Sequence, residues 1–263
     1  MKLGIEIHAL GGPTAVVSIG GLRLLTDPTF DGPGKYRLGA GRELVKTAAA
    51  ALSPQQVGPV DAVLLSHDQH PDNLDTAGRR YLAQVPLVLT TAAAEARLAG
   101  SCRAVGVWEH VDLVRPDGGT LRITRVPAQH GPDGTEHLVG EVAGFVLTGA
   151  DLPTVYISGD NASLDVVRAV AERFPTIDVA MLFAGAASTA LIEHGHLTLT
   201  SAEAATAARI LGAWQVVPLH FDSWQHFTEG AAALLAAFTD AGLRDRLTLL
   251  RPGDHTAVVL DSV

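Results

Sequence analysis

The stretch that decides the fold is Val63-Leu64-Leu65-Ser66-His67-Asp68-Gln69-His70-Pro71-Asp72-Asn73-Leu74-Asp75. Its first three residues predict a buried strand, and the ten that follow hold two imidazoles and three carboxylates. A charged surface loop would account for such a run. Imidazole and carboxylate are, however, the ligand types that suit zinc, manganese and iron. Because the run leaves directly from an apolar strand, the sequence favours a metal site at the edge of an α/β sheet.

Three other polar runs also follow predicted strands. They are Arg125–Gly131 (RVPAQHG), Val155–Asn161 (VYISGDN) and Val216–Trp224 (VVPLHFDSW). In open α/β sheets, ligands bind in the crevice outside the carboxyl ends of the strands. The sequence therefore predicts that four strand ends bring their side chains to one place.

The rest of the chain reads as alternating strands and helices. Residues 3–9, 14–19 and 22–27 predict an antiparallel meander with a two-residue turn at Gly20-Gly21. Residues 28–41 predict a loop, and the Ala-rich stretch 42–52 predicts a helix. Further strands are expected at 60–66, 86–90, 103–107, 111–115, 120–127, 142–148, 154–158, 177–182, 214–219, 246–250 and 256–260. Further helices are expected at 75–84, 91–99, 162–174, 201–212 and 229–241.

Length and composition limit the classes of protein to consider. The 263 residues are 47% hydrophobic and 18% charged, which excludes extended disorder. No composition break separates two domains, so we expect a single domain, residues 1–263, built of two similar halves. The net charge of −9 argues against a nucleic-acid partner.

The compartment is predicted from three absences. The sequence has no basic segment followed by an apolar stretch at its start, and no run of about 18 apolar residues. Its single cysteine, Cys102, cannot form an intramolecular disulfide. We therefore expect a cytoplasmic protein without a membrane partner. The oligomeric state is not predicted.

These motifs resemble those of the metallo-β-lactamase superfamily, in particular its lactonase-like and phosphodiesterase-like cytoplasmic branch. The first family motif, His-x-His-x-Asp-His, matches with one inserted residue if His67 and His70 take the leading positions and Asp72 the aspartate. A gapless alignment places Asp68 first instead. In both alignments Asn73 replaces the last histidine. The Thr26-Asp27-Pro28 turn also fits, and the resemblance implies a four-layer αββα sandwich.

The later motifs follow in the family order. His130 resembles the second-motif histidine, Asp160 the bridging aspartate and His220 the last-motif histidine. The resemblance implies that His67, His70 and His130 hold one divalent ion, and that Asp72, Asp160 and His220 hold a second. It further implies hydrolysis of an ester, lactone or phosphoester in a small molecule by a metal-bound hydroxide, with Asp72 and Asp160 as catalytic residues. Zinc is the expected ion, with manganese and iron as alternatives.

The amide at position 73 is a poor replacement for imidazole, so the second ion loses a ligand. Asp68 and Asn73 are possible additional ligands, the extra imidazole could also compensate, or a single ion could leave Asp72 free as a base. The same departure keeps a second function open, namely a non-hydrolytic member of the superfamily that catalyses a rearrangement or serves as a metal-binding scaffold.

Several other residues are candidates for the substrate pocket or for support of the ligands. His194, His196, Trp224 and His226 are pocket candidates. Asp27 is expected to orient a ligand rather than bind the ion. Residues 28–41 and 186–200 are expected to line the pocket.

Overall fold

The computed structural model describes residues 4–39 and 41–259, and within them the strands form two large sheets and a separate hairpin. The first sheet contains β1 (Ile5–Gly11), β2 (Thr14–Ile19), β3 (Leu22–Thr26), β6 (Ala62–Leu64), β7 (Val88–Thr90), β8 (Cys102–Ala104) and β15 (His255–Val258). Its spatial order is β15-β1-β2-β3-β6-β7-β8. Its β15-β1-β2-β3 half is antiparallel, and its β3-β6-β7-β8 half is parallel.

The second sheet is formed by the later part of the chain. It contains β9 (His110–Val114), β10 (Thr120–Ala128), β11 (Val142–Thr148), β12 (Val155–Ile157), β13 (Val179–Phe183) and β14 (Gln215–Leu219), in the order β14-β13-β12-β11-β10-β9. Because β10 and β12 both run antiparallel to β11, they point the same way as β13 and β14. Their carboxyl ends therefore meet at one edge.

Helices cover the outer face of each sheet. They are α1 (Pro54–Val57), α2 (Thr76–Leu82), α3 (Ala92–Leu98), α5 (Leu164–Arg173), α6 (Ser201–Leu211) and α7 (Ala231–Asp240). The short helix α4 (Glu136–Val139) instead packs Val139 in a separate cluster with Ala187 and Leu197. One apolar cluster lies between the sheets, with Ile7 and Leu24 packed among residues such as Phe145 and Met181. Two others join the first sheet to α1 and α2, and the second sheet to α5, α6 and α7. These four layers confirm the αββα sandwich.

The opening meander is also as predicted. Ile19 pairs with Leu22, and both residues between them, Gly20 and Gly21, have positive φ values of 58° and 80°. Two residues with positive φ form the type I′ turn that matches the twist of a hairpin. The similarity of the two halves of the chain stays a prediction. No described helix has both the length and the apolar character needed to cross a membrane.

The helix predicted at 42–52 is wrong, and so is part of the loop predicted at 28–41. The chain instead forms a hairpin, β4 (Gly34–Gly39) and β5 (Arg42–Lys46), followed by an irregular segment. The backbone of that segment forms hydrogen bonds with distant parts of the chain. Thr47 N donates to Ser223 O, and Ala51 N donates to Leu10 O. These long-range bonds outweigh the helix propensity of the alanines.

Two smaller differences concern a strand that does not form and two short helices that were not predicted. Residues 246–250 do not form a strand, because a 3₁₀ turn at Arg244–Arg246 leaves only an isolated bridge between Leu247 and Val216. The short helices α1 and α4 have no counterpart in the prediction. Residues 3, 40 and 260, which belong to the predicted strand 3–9, loop 28–41 and strand 256–260, lie outside the described residues.

Candidate metal centre

Five strand ends place the site residues at one edge of the sandwich. The strands β3, β6, β10, β12 and β14 end just before Asp27, His67, His130, Asp160 and His220, respectively. Three of these side chains, His67, His130 and His220, lie within 4.0 Å of the Asp160 carboxylate. The predicted convergence of distant strand ends is therefore observed.

Three imidazoles form the first ligand group. His67 Nε2 lies 3.0 Å from His70 Nδ1, and His130 Nε2 lies 3.2 Å from the same atom. Tetrahedral zinc with bonds of about 2.0–2.1 Å to nitrogen separates its ligand atoms by about 3.3 Å. The three ring nitrogens thus fit the face of one metal tetrahedron.

A hydrogen-bonded chain fixes the ring of His67. Ser66 Oγ donates to Asp27 Oδ2 at 2.8 Å, while Ser66 N donates to Asp27 Oδ1 at 2.6 Å. With its proton directed to Asp27, Ser66 Oγ accepts from His67 Nδ1 at 2.9 Å. The Nε2 lone pair of His67 is then free to face the group. Asp27 thus orients His67 through Ser66, and its role beside a bound ion stays a prediction.

His130 is oriented in a similar way. Its Nδ1 donates to the carbonyl oxygen of Leu197 at 2.9 Å, so its Nε2 lone pair faces His70. Both His67 and His130 are buried. Burial lowers the pKa of His67 well below its usual value and that of His130 to about 4. Both rings are therefore neutral near pH 7, which is the form that binds metal.

The second ligand group consists of Asp72, His220 and His226. His220 Nε2 lies 3.3 Å from Asp72 Oδ2, and His226 Nε2 lies 3.0 Å from the same oxygen. Ligand atoms of the three residues all lie within 4.8 Å of one another. One ion could contact all three.

Asp160 lies between the two groups. Its Oδ2 is 4.0 Å from His67 Nε2, whereas its Oδ1 is 3.4 Å from His220 Nε2. The carboxylate thus presents one oxygen to each group. A carboxylate in this position could contact ions held by both groups.

The carboxylates of Asp72 and Asp160 favour positive charge at the second ligand group. Burial is the largest single influence on the pKa of Asp160 and raises it, but His220, His130 and His67 together outweigh burial, and the net pKa lies below its usual value. The pKa of Asp72 is likewise well below its usual value because His226 and His220 outweigh its burial. Burial would lower the pKa of His220, yet Asp160 and Asp72 raise it to about 10. A proton or a metal cation can balance this pair of carboxylates.

Asn73 and Asp68 take positions apart from the two groups. Asn73 Nδ2 donates to Asp160 Oδ1 at 3.1 Å and approaches Asp27 Oδ2 at 3.3 Å. Asp68 instead accepts from Arg97 Nε with both oxygens at 3.0 Å, and lies 3.6 Å from Arg79 Nη2. Neither ligand group includes Asp68. The structure is therefore consistent with the alignment that contains an inserted residue.

The backbone is unusual at three of the strand ends. His220 and Asp27 have positive φ values of 57° and 28°, and Gly159 directly before Asp160 has a φ of 58°. A Cβ atom at Gly159 would lie 2.4 Å from the carbonyl oxygen of Ala143, so only glycine fits there. Such conformations cluster at functional sites, where the surrounding structure holds them.

A cavity of about 300 Å³ opens onto both groups. His70, Asp72, His130, Asp160 and His226 lie at its base. Its wall combines the β4-β5 hairpin with the segment after β13 and with Val139 of α4. Of the expected segments, 186–200 contributes several residues, whereas 28–41 contributes only Leu38 and Gly41. The wall is lined by Leu38, Gly41, Arg42, Glu43, Leu44, Val139, Ala187, Ser188, Thr189, Ala190, Leu191 and Leu197.

The other pocket candidates lie elsewhere. His194 is exposed, and His196 lines a neighbouring cavity. Trp224 is buried below the hairpin, where Lys46 Nζ lies 5.4 Å from the centre of its ring. Of the four candidates, only His226 lines the cavity above the ligand groups.

Sequence reasoning missed two features of this site. His226 was expected to line the pocket, and its place in a ligand group was not foreseen. The only signal is a second histidine six positions after His220. Arg42 and Leu44 in the cavity wall were assigned to a helix, so their role was not foreseen.

Comparison with known proteins gives a family match and several relatives. Residues 22–221 match the family described as Beta-lactamase superfamily domain. A UPF0173 metal-dependent hydrolase from Thermococcus kodakarensis is 26% identical over 95% of this chain and 98% of its own length. Another from Methanosphaerula palustris is 31% identical over 67% of this chain and 75% of its own length.

Solved structures share the fold. The isothiocyanate hydrolase from Delia radicum gut bacteria has a TM-score of 0.80 and 23% identity, covering 95% of this chain and 98% of its own. A possible metal-dependent hydrolase from Veillonella parvula also has a TM-score of 0.80, with 18% identity, covering 97% and 99% of the two chains.

Proposed function

Because the chain belongs to the metallo-β-lactamase superfamily, we propose that it is a metal-dependent hydrolase that cleaves an ester, lactone or phosphoester bond. The observation that carries this proposal is the position of Asp160, which presents one carboxylate oxygen to each of two adjacent ligand groups. The names of the relatives from Thermococcus kodakarensis and Methanosphaerula palustris also support metal-dependent hydrolysis.

In this proposal His67, His70 and His130 would hold one divalent ion, Asp72 and His220 would hold a second, and Asp160 would be shared between them. Neutral imidazoles and carboxylates suit zinc, with manganese and iron as alternatives. A pair of such ions supplies an activated water and polarises the bond to be cleaved.

The protein's own side chains prepare the reaction. Asp72 lies at the base of the cavity, and its buried Oδ1 has no hydrogen-bond partner, so this oxygen can accept a hydrogen bond from the attacking water and orient it. The apolar side chains of Val139 and Leu197 in the wall can bind the hydrocarbon part of a small substrate and exclude bulk water.

The test is hydrolysis by metal-stripped protein that is reloaded with zinc, manganese or iron. The substrates are an ester, a lactone, a phosphodiester, a phosphotriester and a thioester. Turnover of an oxygen ester that requires metal and is lost in Asp160→Ala supports the proposal, with His194→Ala as the control because His194 is exposed and outside both groups.

Two other outcomes would overturn it. Activity in protein without stoichiometric metal that survives His130→Ala would exclude metal-dependent hydrolysis. Bound metal without turnover of any substrate would favour the non-hydrolytic alternative. An isothiocyanate, the substrate class of the relative from Delia radicum gut bacteria, is a further arm, and turnover of it alone would exclude the ester specificity.

A further inference from the structure

The second ion of the proposed centre lacks the imidazole that the last motif position would provide, because that position is Asn73. The Asn73 side chain is fully buried, and its Nδ2 faces three oxygen atoms: Asp160 Oδ1 at 3.1 Å, Asp27 Oδ2 at 3.3 Å and Ser66 Oγ at 3.4 Å. The Nδ2 atom, which donates these hydrogen bonds, does not itself ligate a cation. The amide therefore holds its neighbours in place.

Asp68 does not supply the missing ligand either. Arg97 Nε lies 3.0 Å from both oxygens of its carboxylate, and the Arg97 Nη2 atom also donates to it. The backbone oxygen of Asp68 accepts from Arg79 as well. Both oxygens of the Asp68 carboxylate face the guanidinium group of Arg97, so they are not directed at the ligand groups.

His226 lies where the missing imidazole is needed. Its Nε2 is 3.0 Å from Asp72 Oδ2, the oxygen that His220 Nε2 approaches at 3.3 Å. The side chain is 12% exposed and lines the cavity, and its buried Nδ1 has no hydrogen-bond partner. Its Nε2 and the ligand atoms of Asp72 and His220 are close enough for a single ion.

The loop that carries His226 is fixed on both sides. Ser188 N donates to His226 O at 3.1 Å, and Ala187 forms a bridge with Phe227. On the other side, Gln225 N donates to Val45 O at 2.9 Å in the hairpin. Because its backbone is held by two separate segments, the imidazole is positioned in advance of any ligand.

We propose that His226 is a ligand of the second metal ion and replaces the histidine that Asn73 has displaced. This inference rests on the proposed function. With His226, the second ion has two nitrogen donors, from His220 and His226, and two oxygen donors, from Asp72 and the shared Asp160. Four donors of these types complete a zinc site. The chain thus keeps a two-ion centre although its first motif is incomplete.

The test counts bound ions instead of measuring turnover. Metal-stripped protein is titrated with Co²⁺, which gives a visible absorption for each bound ion, and the content after desalting is measured by mass spectrometry. We expect two equivalents in the wild type. In His226→Ala we expect one tight equivalent and a second that is at least about tenfold weaker, because even residues that only support ligands cost that much.

Matched variants identify which ion is lost. Asp72→Ala should lose the same ion as His226→Ala, and His130→Ala should lose the other one. His196→Ala removes an imidazole that lines a different cavity and should keep both. Circular dichroism of the metal-free variants checks that each is folded.

The outcomes separate the two proposals. Two ions of unchanged affinity in His226→Ala, or a single ion in both that variant and the wild type, would overturn the role of His226 and leave metal binding intact. If His226→Ala retained both ions, the fourth ligand of the second ion would be assigned to Asn73 Oδ1, which is buried without a hydrogen-bond partner. A wild type that binds no Co²⁺ would instead overturn the metal centre itself.

Discussion

The Nδ2 atom of Asn73 lies 3.1 Å from Oδ1 of Asp160. The residue that departs from the family motif therefore contacts the carboxylate shared by the two ligand groups. Since Asp160 Oδ1 is also 3.4 Å from His220 Nε2, the amide helps to set the direction in which this oxygen points.

Replacement of Asn73 should weaken both ions. Asn73→Leu keeps the approximate shape of the side chain but removes the hydrogen bond to Asp160, and we expect a loss of affinity of about 10–100-fold for each ion. Competition with a chromophoric chelator measures it. Gln69→Leu, in the same loop but without a contact to Asp160, is the control. Equal affinities in wild type and Asn73→Leu would contradict this role.

Ser66→Ala should weaken one ion only. The substitution breaks the link from Asp27 to His67 Nδ1, which holds the ring in the form with a free Nε2. We expect the affinity of the ion at the three imidazoles to fall by about 10–100-fold. The ion at Asp72 and His220 serves as the internal control in the same Co²⁺ titration. A loss of affinity confined to the ion at Asp72 and His220 would argue against the link from Asp27 through Ser66 to His67.

Lys46 should stabilise the folded protein. Its Nζ lies 2.9 Å from Asp75 Oδ2 and donates to Thr29 O, with both ionic side chains almost fully buried. In Lys46→Met the Asp75 carboxylate loses its cation, and we expect unfolding to become easier by about 3 kcal/mol. Urea denaturation of the metal-free protein measures this change.

Lys35→Met on the same hairpin is the matched control for Lys46. Lys35 also pairs with a carboxylate, that of Glu43 at 3.0 Å, but its side chain is 67% exposed. We expect that pair to contribute less than about 1 kcal/mol. Equal effects of the two substitutions would show that burial of the Lys46 pair is not the cause.

Arg42 should favour substrates with a negative charge. It lines the cavity with a buried Nε that has no hydrogen-bond partner, whereas the neighbouring Glu43 is paired with Lys35. We expect Arg42→Gln to lower kcat/KM for a carboxylate-bearing ester by about tenfold or more, mainly through KM, and to spare its neutral analogue. Arg37→Gln, exposed on the same hairpin, is the control. The same loss for both esters would rule out charge recognition.

Much of the fold could be predicted because its elements depend on local signals. Gly20-Gly21 sets the first hairpin, and the polar runs after strands mark the edge where His130, Asp160 and His220 meet. The helix expected at 42–52 failed for a non-local reason. Lys46 forms an ion pair with Asp75, 29 residues further along the chain, and no pattern in the neighbouring sequence indicates that partner.

The site was predictable to a similar extent. Motif order could indicate the residues at strand ends, since a strand fixes where its last side chain lies. His226 follows no strand, and its approach to Asp72 depends on two segments, near Val45 and Ser188, that hold its loop. The sequence could indicate that a ligand was missing at Asn73, but only the arrangement of these segments identifies a replacement.

The most direct test of the two-ion centre is an anomalous difference map of zinc-loaded crystals, collected on both sides of the zinc absorption edge. We predict two peaks per chain. One lies among His67, His70 and His130, the other contacts Asp72, His220 and His226, and Asp160 reaches both. An absence of any peak at this edge of the sandwich, or a single peak with Asp72 and His226 still in direct contact, would contradict the account.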